Sequence, residues 1–153
     1  SSRNVGSRTK IGVDTLDRDV DPVGSCIGAR GSRIQAVVNE LRGEKIDVIR
    51  WSPDPEVYIK NSLSPAQINR VVLIDAEEKQ AEVYVPENQL SLAIGKDGQN
   101  VRLCANLTGW KIDIKEVKKQ EEEAEEVEGE TIQASSPETE ETIEAQTSPL
   151  GSE

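Results

Sequence analysis

Two stretches decide the fold of this chain: Cys26–Ile34, which reads CIGARGSRI, and Ala93–Val101, which reads AIGKDGQNV. In each, an isoleucine precedes two glycines that are separated by two residues, and an apolar residue follows three positions after the second glycine. The second stretch repeats the first at an offset of 67 residues (93 − 26). Because self-similarity at a fixed spacing indicates a structural unit that occurs more than once, the sequence predicts two copies of one small module.

Helical patterns flank the glycines of the first copy. Asp21 followed by Pro22 is typical of an N-cap and the first residue of a helix, and this helix is expected to end at Ile27. After the glycines, Ser32 is expected to cap a second helix, which Gly43 closes. This second helix is predicted to be amphipathic, because its apolar residues follow the i, i+3, i+4, i+7 spacing: Ile34, Val37, Val38 and Leu41.

The second copy predicts six elements in the order α-β-β-α-α-β. A helix starts at Asp54–Pro55, and a hairpin joins Arg70–Ile74 to Ala81–Val85. Two helices then flank Gly95–Gly98, and a strand at Trp110–Ile114 ends the module. The chain is therefore predicted to be an α+β protein built of two tandem modules of this kind.

The first copy shows fewer elements than the second. Its predicted strands lie at Lys10–Val13 and Lys45–Arg50. The first module, residues 1–50, is therefore expected to lack its opening helix and first strand. The second module is expected to span residues 51–117.

Charge is distributed unevenly along the chain. Residues 1–115 hold 16 basic and 16 acidic side chains, whereas residues 116–153 hold 2 lysines and 13 acids. A segment this acidic and this poor in apolar residues cannot bury enough surface to fold, so residues 118–153 are predicted to be a disordered acidic tail. Because the folded part carries no net charge, any nucleic-acid binding is expected to come from a local site.

Composition argues against several classes of function. The chain has no histidine, the commonest general base and a frequent metal ligand, and no Walker-type phosphate-binding sequence. We therefore expect no enzyme activity, cofactor or metal. Cys26 and Cys104 lie in apolar helical patterns and are interpreted as small buried side chains in a reducing compartment. No apolar run approaches the roughly 20 residues of a membrane span, and a cytoplasmic location is expected.

The two glycine turns have the chemistry of a phosphate-binding site. Glycine reaches the angles of a tight turn at low cost, and without side chains a sugar-phosphate backbone can approach the main chain. The helix that follows directs free N–H groups and the positive end of its dipole toward that position. Basic side chains lie in and beside the turns, and the isoleucines offer an apolar surface for bases. The predicted RNA-binding residues are Ile27, Gly28, Ala29, Arg30, Gly31, Ser32, Arg33, Ile94, Gly95, Lys96, Asp97, Gly98, Gln99, Asn100 and Arg102.

This arrangement resembles the KH module, whose Gly-x-x-Gly turn clamps about four nucleotides, and the order αββααβ is its type II form. The stretches Asp21–Val37 (DPVGSCIGARGSRIQAV) and Ala93–Leu103 (AIGKDGQNVRL) are similar to the first and second KH motifs of the NusA family of bacterial transcription factors. The similarity extends over roughly Val5 to Lys115. One departure is Asp97, an acid inside the second turn, with Lys96 as the compensating charge.

The resemblance implies a single-stranded RNA-binding part of a transcription factor. Members of this family travel with RNA polymerase and other elongation factors, contact the emerging transcript, and modulate pausing, termination and antitermination. Their two KH modules pack rigidly and share one stretch of RNA. The protein is then expected to be a cytoplasmic, monomeric regulator of transcription.

Two alternatives remain open at the level of the sequence. Some KH folds bind protein partners and not RNA, although the basic residues near both turns argue against that interpretation. Other type II KH proteins, such as ribosome-associated ones, also bind RNA but usually hold a single unit. The tandem repeat favours the NusA family.

Overall fold

The computed structural model describes residues 1–117. The first module contains β1 (Ser2–Asn4), β2 (Arg8–Val13), α1 (Pro22–Ile27), α2 (Ser32–Glu40) and β3 (Lys45–Arg50). The second module contains α3 (Pro55–Ser62), β4 (Arg70–Asp75), β5 (Gln80–Val85), α4 (Glu87–Ile94), α5 (Gln99–Thr108) and β6 (Lys111–Glu116). A short 3-10 turn joins the two central helices of each module, at Ala29–Gly31 and at Lys96–Gly98. The α+β class is confirmed, and the predicted disordered tail at 118–153 lies outside the described residues.

Both modules contain a three-stranded sheet of the same topology. In the first, β1 pairs antiparallel with β2, and β2 pairs parallel with β3. In the second, β4 pairs antiparallel with β5, and β5 pairs parallel with β6. Thr9 faces Ile46 in the first register, and Ala81 faces Ile112 in the second. The predicted duplication of one module is therefore confirmed, together with the α-β-β-α-α-β order of the second copy.

One expectation about the first module was wrong. Its first strand is present as β1, only 3 residues long, which pairs with Arg8–Lys10. The sequence does not predict this strand, because Ser2–Asn4 is polar throughout and shows no alternation of apolar residues. The described residues contain no helix before β1.

The start of α2 also differs from the prediction. Gly31, in the left-handed region at φ 72°, occupies the N-cap position, and Ser32 is already the first helical residue. At α1, Asp21 is the N-cap as expected, but its side chain makes no capping hydrogen bond. In contrast, Asp54 caps α3 by accepting a 3.0 Å hydrogen bond from the N–H of Glu56.

The two modules differ in how well their helices are covered. In the second, Ile59 on α3 and Leu63 directly after it are fully buried against Ala93 and Cys104. In the first, no described helix takes that place. A groove of about 420 Å³ therefore opens between α2 and the sheet, and Val37 is 46 % exposed.

The two cysteines have different environments. Cys26, at the position equivalent to Ala93, lines the open groove of the first module and is exposed, which contradicts its interpretation as a buried side chain. Cys104 is buried as predicted. Burial raises the pKa of the Cys104 thiol to about 12.

The two modules pack against each other. Helix α5 lies against β1 and β2, and α3 lies against β3. As a result, residues 1–117 lie in one compact unit. The helices within residues 1–117 are too short or too polar to cross a bilayer.

Candidate nucleic-acid interface

The two glycine turns have nearly the same backbone conformation although they are 67 residues apart (95 − 28). Each begins and ends with a glycine at positive φ, and its third residue is a non-glycine residue in the left-handed region. The matched pairs are Gly28 and Gly95 (φ 77°, ψ 174° and φ 76°, ψ 170°), Arg30 and Asp97 (φ 54°, ψ 29° and φ 55°, ψ 27°), and Gly31 and Gly98 (φ 72°, ψ 16° and φ 71°, ψ 16°).

The first glycine of each turn is required by packing. A Cβ at Gly28 would lie 2.7 Å from Cγ of Arg33, and a Cβ at Gly95 would lie 2.7 Å from the backbone nitrogen of Asn100. The angles of both glycines also fall in a region that is essentially restricted to glycine. These positions therefore fix the approach of the following helix to the turn.

The second glycine of each turn faces open space. A Cβ at Gly98 would meet nothing within 4 Å, and one at Gly31 would only reach Cγ2 of Ile34 at 4.0 Å. A sugar-phosphate backbone can therefore approach the main chain most closely at this second position.

Some of the N–H groups that the sequence argument assigned to phosphate are already used. Gly31 donates to the carbonyl of Gly28 at 3.1 Å, and Gly98 donates to that of Gly95 at 3.2 Å. The next N–H in each turn, at Ser32 and Gln99, also bonds within the turn. These bonds hold the turns, and they leave only the remaining N–H groups and the basic side chains for a phosphate.

Those basic side chains are exposed beside the turns. Arg30 and Lys96 lie in the turns themselves. Arg33 donates from Nη1 to the carbonyl of Ser25 at 2.7 Å, and Arg102 donates from Nη1 to the carbonyl of Asp97 at 3.3 Å. Since a guanidinium has five N–H donors, both arginines retain donors for a ligand while one N–H holds the side chain in place.

Asn100 does not belong with the other predicted contact residues. It is 2 % exposed, and its Nδ2 donates to the carbonyls of Leu63 at 3.1 Å and Ala93 at 2.9 Å. The side chain therefore ties α5 to α3 and α4 behind the turn, and its predicted RNA contact is withdrawn. Arg33, the residue at the equivalent position of the first module, is exposed, which shows that the repeat conserves backbone shape more closely than side-chain role.

The remaining predicted residues lie at or beside the turns. Ile27 and Ile94 end α1 and α4 and are half-buried, so each still offers part of its surface. Ala29, Ser32 and Asp97 are exposed. Gln99 is half-buried, and its Nε2 donates to Oγ of Ser7 at 2.7 Å.

Sequence analysis missed the contribution of the β1–β2 turn. Ser7 reaches Gln99 across a separation of 92 residues, and no local pattern could reveal such a contact. Glu44 holds this turn, because its carboxylate accepts hydrogen bonds from Arg3, Thr9 and the N–H of Gly6. The bond from Arg3 is the main cause that lowers the pKa of Glu44 to about 2, and those from Thr9 and Gly6 add to it.

A second feature that the sequence did not reveal lies where the modules meet. A cavity of about 560 Å³ is lined by residues of both modules, among them Val23, Val48, Arg50, Lys60 and Gln67. Gln67 donates its N–H to Oε1 of Gln89 on α4 at 3.0 Å, so this cavity adjoins the start of the helix that leads to the second turn. Of its two basic residues, Arg50 is paired with Asp14 at 3.2 Å.

Two β-α-turn-α-β cores, each with a Gly-x-x-Gly turn between its helices, define a tandem pair of KH domains. Comparison with known families matches residues 1–51 to the NusA-like first KH domain and residues 55–122 to the NusA-like second KH domain. The chain belongs to the family of NusA-type tandem KH domains.

Individual relatives agree with that assignment. The transcription termination/antitermination protein NusA of Bacillus subtilis is 60 % identical over 114 residues, which are 74 % of this chain and 30 % of that protein. The protein of the same name from Thermus thermophilus is 51 % identical over 115 residues, which are 75 % of this chain and 30 % of that protein. The chain thus spans about a third of the length of these curated relatives.

A solved structure shows the same architecture. The crystal structure of APE1850 superposes with a TM-score of 0.52 and 28 % sequence identity, covering 71 % of this chain and 79 % of that one.

Proposed function

We propose that this chain binds single-stranded RNA through the turns Gly28–Gly31 and Gly95–Gly98, as the RNA-binding part of a factor that acts in transcription termination and antitermination. The observation that carries the proposal is the pair of nearly identical turns, each with an open second glycine beside exposed basic side chains. The names of the relatives support the wider role.

The geometry favours a single strand over a duplex. We infer that the sugar and base of a strand bound at Gly31 or Gly98 lie over the end of α1 or α4, where the half-buried Ile27 or Ile94 offers an apolar surface. Unpaired bases can lie on such a surface, whereas the bases of a duplex are stacked inside the helix and cannot reach it. The proposed contact set is the predicted one without Asn100.

The two turns are proposed to differ in strength. Arg30 and Asp97 occupy the same backbone position, so the first turn presents a positive charge where the second presents a negative one. Lys96 offsets Asp97 but does not restore the charge of the first turn, Gly28–Gly31, which contains no acidic residue. We therefore propose that the first turn contributes more of the electrostatic attraction.

The division of the chain is part of the proposal. Residues 1–50 form the first module and residues 51–117 the second, which the family matches at 1–51 and 55–122 support. The transcript that emerges from RNA polymerase is the proposed RNA, and the polymerase with its elongation factors is the proposed partner of the longer protein. We propose a monomer that acts in the cytoplasm by binding, without catalysis.

The decisive experiment reverses the charge of the first turn. Replacing Ala29 and Arg30 by Asp changes the local charge by three units, and each unit charge at about 4 Å from a phosphate is worth roughly 1 kcal/mol in water. After screening by salt, we expect single-stranded RNA binding to weaken at least about tenfold, with thermal stability unchanged because both side chains are exposed.

Fluorescence anisotropy with a labelled RNA measures the effect. The control is Lys79→Asp, a charge reversal at the exposed end of the β4–β5 hairpin. RNA affinity equal to that of the parent would contradict the phosphate-clamp proposal and favour a protein-binding KH module. Equal affinity for single-stranded and double-stranded RNA would contradict the preference for a single strand.

A further inference from the structure

Lys10 is a buried lysine at the contact between the two modules. It lies on β2, and its side chain is 0 % exposed. Its Nζ donates to Oδ2 of Asp47 at 2.8 Å within the first module and to the carbonyl of Ser64 at 2.7 Å in the second. One ammonium group therefore joins the two modules by a directional bond.

Such a bond is sensitive to small displacements. A buried charge that loses a hydrogen-bond partner is costly. If the second module moved relative to β2, the ammonium would lose the carbonyl of Ser64 without gaining water. In some proteins, buried polar or ionic groups specify one register of packing more than they add stability. Burial also lowers the pKa of Lys10, although Asp47 acts in the opposite direction.

Other contacts across the same surface agree with a fixed register. Gly12, two residues beyond Lys10, lies so close to Tyr58 of α3 that a Cβ at this glycine would be 2.5 Å from the phenolic oxygen. At the other end of the surface, the bond from Gln99 to Ser7 holds the residue that follows the second glycine turn. The position of the second turn thus depends on where the second module sits on the sheet of the first.

We propose that Lys10 is a positioning residue that fixes the spacing between the two glycine turns, so that one RNA strand engages both as a pair. The inference rests on the proposed RNA binding. When two sites are held at a fixed distance, the second binding event is intramolecular, and affinity for a strand that spans both exceeds that of either site. Loss of the fixed spacing removes this gain while each turn keeps its own affinity.

Lys10→Met tests the proposal. Methionine keeps the length and the apolar stem of lysine, and Asp47 stays paired because Arg8 also donates to it, at 2.8 and 3.1 Å. A buried charge replaced by an apolar side chain of similar volume often leaves stability unchanged. We expect an RNA of about 10 nucleotides, enough for two sites of four, to bind roughly tenfold or more weakly. In an NMR titration, a tetranucleotide should bind to Lys10→Met with the same affinity as to the parent.

Matched variants separate position from charge and from folding. Lys79→Met removes a lysine at an exposed turn and should leave both RNAs bound as in the parent. Gly12→Leu displaces the phenol of Tyr58 at the contact between α3 and β2 without changing any charge, and should also weaken the longer RNA selectively. Adding Tyr58→Ala makes room for the new side chain and should restore part of the affinity. If Lys10→Met does not fold, this pair tests the premise of the proposal, and an unchanged affinity of Gly12→Leu for the longer RNA would overturn it.

A distance measurement makes the test independent of RNA. Cys26 is exposed and accepts a spin label, whereas the buried Cys104, with its raised pKa, does not. A second label is attached through Ser91→Cys on the exposed side of α4. Double electron–electron resonance then measures the distance between the two labels, which reports the spacing of the modules. We expect one narrow distance in the parent and a broadened or shifted distribution in Lys10→Met.

The outcomes distinguish this proposal from the proposed function. An unchanged distance distribution in Lys10→Met, or an equal loss of affinity for the short and the long RNA, would overturn the positioning role. If the parent binds neither RNA, the proposed function fails, and the distances alone then decide whether Lys10 fixes the spacing.

Discussion

The glycines of one turn should respond differently to the same small substitution. Gly95→Ala and Gly98→Ala each add one methyl group, three residues apart, in the second module. The structure predicts that the first change mainly costs stability and the second mainly costs RNA affinity.

The magnitudes follow from the surroundings of each Cβ. At Gly95 the new methyl group would lie 2.7 Å from the backbone nitrogen of Asn100, and the angles there cost roughly 1 to 3 kcal/mol for any residue but glycine. Strain and displacement of α5 together should lower the free energy of unfolding by about 3 kcal/mol. At Gly98 there is open space, and a left-handed alanine costs only about 1 kcal/mol. That methyl group, however, occupies the place where a phosphate would approach.

Urea unfolding followed by tryptophan fluorescence measures stability, and anisotropy measures binding to a short RNA at a temperature where both variants are folded. We expect Gly98→Ala to bind several-fold more weakly than its modest loss of stability explains. If both variants lost equal stability, the packing argument for the first glycine would be refuted. If Gly98→Ala bound RNA like the parent, the close-approach argument for the second glycine would be refuted.

Three further predictions concern other parts of the chain. The pKa of Glu44 is held near 2, against an ordinary value of 4.5. The ionised Glu44 carboxylate therefore contributes fully to stability above about pH 5, and this contribution is lost as the pH falls toward 2. Between pH 7 and 3, urea unfolding should show a larger loss of stability for the parent than for Glu44→Gln. Because the second module has the better covered core, the amides of residues 83–85 in β5 should exchange hydrogen more slowly than those of residues 10–13 in β2. Slower exchange at residues 10–13 would contradict the prediction that the second module is the more stable one. Residues 118–153 carry 12 acids and 2 lysines, so truncation after Val117 should tighten RNA binding at low salt. This advantage should shrink as salt screens the repulsion, and parallel salt titrations without an offset would speak against it.

Local patterns were sufficient to predict the elements that carry the candidate site. The two turns depend on glycines at fixed spacing and on helices that begin beside them. The β4–β5 hairpin depends on two apolar segments that flank the charged residues Glu77, Glu78 and Lys79. These signals lie within a few residues of the structure they specify. They are therefore visible in one sequence.

Features that depend on distant partners were not predictable. Strand β1 is polar and forms because Arg8–Lys10 pairs with it and because Glu44 holds Arg3 and the adjoining turn. Lys10 looks like a surface residue in an alternating strand, yet a second module covers it. In the same way, nothing near Asn100 in the sequence indicates that its amide reaches the carbonyl of Leu63.

The left-handed residue inside each turn has a consequence for the order of events during binding. Arg30 and Asp97 hold the same backbone angles, so the shape of the turn does not depend on the charge it presents. Diffusional encounter with a polyanion is accelerated by positive charge and slowed by negative charge. A strand arriving from solution should therefore be captured at the first turn and only afterwards settle on the second. The association rate should then respond to changes at Arg30, while the lifetime of the complex should respond to both turns.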